Sequence, residues 1–132
     1  MAYKYFSSSK HKRACDCSVR CIMASEGMYW AEAYKLLCDK GMKLMRMPDE
    51  LETIAAVLKD YGYVAEKAPM KDLHNGHKRR LTVREFAKEN KKGTFVLSLT
   101  GHVVCVKNGD WLDTWDCSEV KVFKVFRKGH LN

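Results

Sequence analysis

The chain has 132 residues with a hydrophobic fraction of 46%, which suits one domain spanning 1–132 around one core. No apolar run reaches the roughly 20 residues that a bilayer-spanning helix needs, and residues 1–13 lack the continuous apolar stretch of a secretory leader. A cytoplasmic protein with reduced thiols and no membrane partner is therefore expected. The net charge of +8 leaves room for an acidic partner or non-specific contact with nucleic acid.

Residues 1–13 read as an N-terminal arm or loop, in which 3–6 could form a short strand. A first helix starts at Cys17 behind Asp16, a good N-cap residue. Cys17, Cys21 and Ala24 lie on one stripe, Val19, Ile22 and Met23 lie beside it, and Gly27 breaks the pattern. A second helix begins near Tyr29, buries Trp30, Ala33, Tyr34 and Leu37, and stops at Gly41. Pro48-Asp49 opens a third, with Leu51, Ile54, Ala55, Leu58 and Tyr61 at helical spacing up to Gly62. A short strand follows over 63–65, and 68–80 reads as loop.

Thr82-Val83-Arg84-Glu85 is a capping box for a fourth helix. Strand-like runs then occupy 94–99, 102–107, 110–115 and 120–127. Asn108-Gly109 between two of them is a strong hairpin signal, because both residues tolerate positive φ. That turn pairs Lys107 with Asp110, Val106 with Trp111 and Cys105 with Leu112. His102, Val104, Val106, Trp111, Asp113 and Trp115 then share one face. His102 and Asp113 become diagonal neighbours, and a one-residue slip would separate them. Asp116, the alternative carboxylate, falls on the opposite face. The whole reads as α+β, with N-terminal helices packed on a C-terminal antiparallel sheet.

Thiol, imidazole and carboxylate are the parts of an activated cysteine nucleophile. Cys17 at a helix N-terminus gains from free N–H groups and the helix dipole, both of which favour thiolate. The six cysteines are otherwise read as small buried hydrophobes, and Cys15-x-Cys17-x-x-x-Cys21 has no standard zinc spacing. No metal and no cofactor is expected. The basic clusters Lys10-His11-Lys12-Arg13 and His77-Lys78-Arg79-Arg80 lack aromatic interleaving and read as solvated surface.

Asp16-Cys17-Ser18-Val19-Arg20 leading a helix, Gly101-His102-Val103-Val104 leading a strand, and Asp113-Thr114-Trp115 resemble the papain-like cysteine peptidase superfamily. The likeness is greatest to small phage and bacterial members without prosegments, near the leader-cleaving peptidases of bacteriocin exporters. It covers roughly 14–127. The resemblance implies a papain-like fold in which Cys17 is the nucleophile, His102 its base and acid, and Asp113 the residue that orients His102. It implies a peptidase or amidase working through a thioacyl intermediate on a protein or peptide substrate, in a host cytoplasm if the chain is phage-encoded. Acyl transfer uses the same residues. The Cys17 backbone N–H would serve the oxyanion and Trp115 would shield the pair or touch substrate. Family members often carry Gln or Asn a few residues before the cysteine. This chain has no Gln, and no Asn before Cys17, which leaves Ser9, His11 or Lys12 as substitutes. Two other readings stand beside this one: a papain-like scaffold without chemistry that binds a host protein, and a basic nucleic-acid-binding module.

Overall fold

The computed structural model describes residues 1–7 and 16–129. Four helices are present among them: α1 (Cys17–Glu26), α2 (Trp30–Leu44), α3 (Leu51–Asp60) and α4 (Val83–Glu89). The strands are β1 (Tyr3–Tyr5), β2 (Tyr63–Lys67), β3 (Met70–Asp72), β4 (Lys78–Arg80), β5 (Thr94–Leu99), β6 (His102–Lys107), β7 (Asp110–Asp113) and β8 (Lys124–Lys128). Six of these form one sheet in the order β1-β7-β6-β5-β8-β2. The class is α+β, but the helices are not confined to the N-terminal part. Helix α4 lies between β4 and β5, and four strands precede it. The sheet is not wholly antiparallel either, because β1 joins β7 in parallel.

The sheet is buried on both faces. Alternation along β5 and β6 sends Val96 and Val103 to one side, where they pack with Val19, Ile22, Leu37, Ile54 and Leu58 of the first three helices. Phe95, Leu97, Val104 and Val106 go to the other side with Val83, Phe86 and Ala87 of α4. Phe86 meets Phe95 edge-on at 5.0 Å between ring centres. The capping box starts α4 as expected: Thr82 accepts from the Glu85 N–H, and Glu85 accepts from the Thr82 N–H. Among the described residues no helix is long and apolar enough to cross a membrane.

The β6–β7 hairpin has the register read from the sequence, with Cys105 opposite Leu112, Val106 opposite Trp111 and Lys107 opposite Asp110. Asn108 and Gly109 take φ of 51° and 82°, the left-handed pair that this tight turn requires.

Three boundaries differ from expectation. Helix α2 passes through Gly41 to Leu44, and the left-handed residue is Met45. Gly41 is there for close approach rather than as a stop: a Cβ on it would sit 2.6 Å from the Arg46 carbonyl oxygen. Residues 68–80 are not all loop, because β3 and β4 pair as a short antiparallel ribbon. Strand β7 ends at Asp113 and β8 begins only at Lys124.

Candidate active site

Helix α1 lies against β6, with its first residue at the start of that strand. The Cys17 thiol lies beside the His102 ring and the Val103 backbone N–H, both of which favour its thiolate. His102 Nε2 stands 2.5 Å from Asp113 Oδ2, so Nδ1 is the ring nitrogen left for the thiol. The chain thus brings together residues 17, 102 and 113 from the ends of α1, β6 and β7.

The electrostatics follow from burial and partners. Burial alone would favour the neutral thiol at Cys17. His102 and the Val103 N–H outweigh it, with the His102 and Arg20 charges adding to them, and the thiol titrates below its ordinary value. Burial also opposes charge on His102. The Asp113 carboxylate bonded to the ring and the Cys17 thiol beside it prevail and raise it to about 9. Asp113 is buried, yet His102, the Thr114 N–H and Arg20 hold its carboxyl below the usual range. All three shifts favour a thiolate–imidazolium pair backed by a carboxylate.

Three of the other described cysteines differ. Burial pushes Cys21 well above the ordinary thiol range, and burial raises Cys105 and Cys117 to about 12. These behave as small core residues.

Asp16 does not do what the sequence suggests. It occupies the N-cap position of α1 but its side chain makes no cap hydrogen bond. Its carboxylate is instead paired with Arg20, one turn on, and accepts the Trp30 indole N–H at 3.1 Å. Arg20 is 8% exposed and forks between two carboxylates: one arm holds Asp16, the other reaches Asp113 Oδ1 at 3.2 Å. The Thr114 N–H also donates to Oδ1, at 2.7 Å. One oxygen of Asp113 is thereby fixed while the other faces His102. Arg20 and Trp30 have no role in the sequence reading. The Asp16-to-Arg20 spacing of four residues signals the first contact, but nothing local signals the reach to Asp113.

Trp115 stands beside His102, ring centres 5.0 Å apart and planes tilted by 43°. It is not among the residues that line the cleft at Cys17. That cleft, about 410 Å³, is walled by Leu51, Ile54, Leu99, Val103 and Phe123, with Asp49 also lining it. Ser9, His11 and Lys12, the alternatives for an oxyanion donor, lie outside the described residues, as does Cys15. Among the described residues no group of three or more His, Cys, Asp or Glu side chains is placed to hold a metal ion. Of the two basic clusters, the first is outside the described residues. In the second, Arg79 forks onto Glu85 at 2.7 and 2.8 Å, and Arg80 lies over the Phe123 ring. Comparison with protein-family models, with curated proteins and with solved structures gave no match.

Proposed function

We propose that the protein is a small papain-like cysteine hydrolase that cleaves an amide or related acyl bond. The observation that carries this reading is the Cys17 thiol set beside the His102 ring, whose Nε2 is held by the Asp113 carboxylate. A half-buried thiol beside an imidazole that is itself held by a carboxylate is the arrangement that nucleophilic catalysis by cysteine requires.

In this reading the Cys17 thiolate attacks the acyl carbon, and the C–N bond electrons go to the leaving nitrogen. The His102 imidazolium gives that nitrogen its proton. The thioester left on Cys17 is then attacked by water, or by an amine in acyl transfer, with neutral His102 taking the proton. Asp113 holds the ring and stabilises its charged form. The Cys17 backbone N–H, at the start of α1, is the donor available to the oxyanion. The Asp16 carboxylate, turned toward Arg20 and Trp30, makes no bond to that helix end.

Alkylation with iodoacetamide across pH, with mass mapping of the modified cysteine, tests the reading. Cys17 should react selectively and with an apparent pKa well below the ordinary ~8.5. His102→Ala should return that value toward the ordinary one. Slow labelling spread over several cysteines would show Cys17 to be a structural thiol.

A further inference from the structure

The cleft beside Cys17 has one charged wall residue that the hydrolytic step does not use. Asp49 lines the same 410 Å³ space as Cys17 and His102. It sits in the turn between α2 and α3, and that turn is pinned. Thr53 Oγ1 donates to the Met47 carbonyl at 2.8 Å, and Glu50 accepts the Met47 N–H at 2.6 Å. In the same turn Glu50 faces Arg46. Asp49 pairs with no cation among the described residues, although Lys and Arg outnumber Asp and Glu by 24 to 16 in this chain. Leu51, Ile54, Leu99 and Phe123 give the cleft apolar walls, and Ser98 and Thr100 also line it.

An apolar slot with a carboxylate on its wall matches one kind of side chain. Lysine and arginine bury a hydrocarbon stem and carry a cation at the tip. We propose that the cleft selects peptide substrates with a lysine or arginine side chain next to the bond attacked, with Asp49 receiving the cation. The selection rests on the hydrolase reading above. Arg80 lies over the ring of Phe123, a residue of the cleft wall, at 5.2 Å. It makes a rival prediction, that an acidic side chain would be drawn to the Phe123 wall. Asp49 has no part in the His102–Asp113 bond and is not among the groups that shift Cys17, so it is a specificity residue and not a catalytic one.

The probes are dipeptidyl vinyl sulfones carrying lysine, norleucine or glutamate at either of the two positions before the reactive group. The Cys17 thiolate adds to the vinyl β-carbon, and the α-carbon takes a proton from the His102 imidazolium. No group leaves and no oxidant is needed. The rate of Cys17 labelling is measured for each probe by mass spectrometry, in the wild-type chain and in Asp49→Asn. At one of the two positions, lysine should label about fivefold faster than norleucine, the effect of a partly exposed ion pair. The preference should shrink when salt is raised to about 1 M. Asp49→Asn should abolish it. Equal rates for lysine and norleucine, a faster glutamate probe, or a lysine preference that survives Asp49→Asn each overturns the proposal while leaving the hydrolase reading intact. Failure of every probe and of iodoacetamide to label Cys17 selectively overturns the hydrolase reading, and the proposal with it.

Discussion

At the residue scale, Arg20 acts on the chemistry only through Asp113. Its guanidinium fork satisfies two buried carboxylates at once, a geometry that a lysine ammonium cannot reproduce. Arg20→Lys should keep the fold and the local charge, but leave Asp113 Oδ1 with the Thr114 N–H alone. The carboxylate then turns more freely, His102 is held less firmly, and Cys17 alkylation should require higher pH. A profile identical to wild type would make Arg20 a purely structural ion. Arg20→Met should instead destabilise the fold by about 3–5 kcal/mol in urea titration, because it strands buried charge. The pH dependence of stability has a definite sign at His102. Its folded value, about 9, lies above its ordinary 6.5. The contribution is therefore complete below about pH 6.5 and disappears as pH rises through about 9. The stability gap between wild type and His102→Ala should be widest near pH 6 and close by pH 10. Thiol, imidazole and carboxylate were each legible as candidates from residue type and alternation. Arg20 was not, because its second carboxylate is 93 residues away.

At the element scale, local rules read well where one element carries all the information. The Asn108-Gly109 turn fixed the β6–β7 register, and Thr82 with Glu85 fixed the start of α4. They failed where a distant segment intervenes. Gly41 looks like a helix stop, yet it lies inside α2 because the chain returns over it at Arg46. The Arg46 N–H donates to the Gly41 carbonyl at 2.9 Å. Asp16 looks like a cap, yet Arg20 and Trp30 draw its carboxylate away. Residues 68–80 carry little periodicity, and β3 and β4 are three residues each, too short for a period to show. The Gly41 site gives a prediction of unusual sign. Alanine for glycine in a helix normally stabilises by about 1 kcal/mol. Here the added Cβ would meet the Arg46 carbonyl oxygen at 2.6 Å, so Gly41→Ala should destabilise by about 1–3 kcal/mol. Chemical denaturation of the two proteins decides it, and a more stable alanine variant would mean that the 41–46 reversal is soft.

At the scale of the whole molecule, the site exists only because distant pieces of chain meet at one end of the sheet. Helix α1 supplies the thiol, β6 the imidazole and β7 the carboxylate, while α3 and the turn before it wall the cleft. The least expected member is β1. It pairs in parallel with β7, placing Tyr5 opposite Asp113. The Phe6 N–H donates to the Asp113 carbonyl at 2.8 Å, and the Tyr3 hydroxyl donates to the same oxygen at 3.1 Å. Lys4 holds Asp110 at the far end of β7. Without β1, β7 would be the edge of the sheet, and edge strands fray most readily. Its last residue, Asp113, would then lose the backbone anchor that keeps its carboxylate aimed at His102. The arm is thus a clamp on the carboxylate that holds His102, from a segment that does not line the cleft. Deleting residues 1–6 should slow Cys17 alkylation at pH 6 several-fold, about as much as a loss of 1 kcal/mol in the ion pair. The α4 side of the sheet, followed by amide exchange in β5, should stay protected. An arm that only covers surface would leave the alkylation rate unchanged. A clamp couples the first residues of the chain to the reactivity of the α1 thiol.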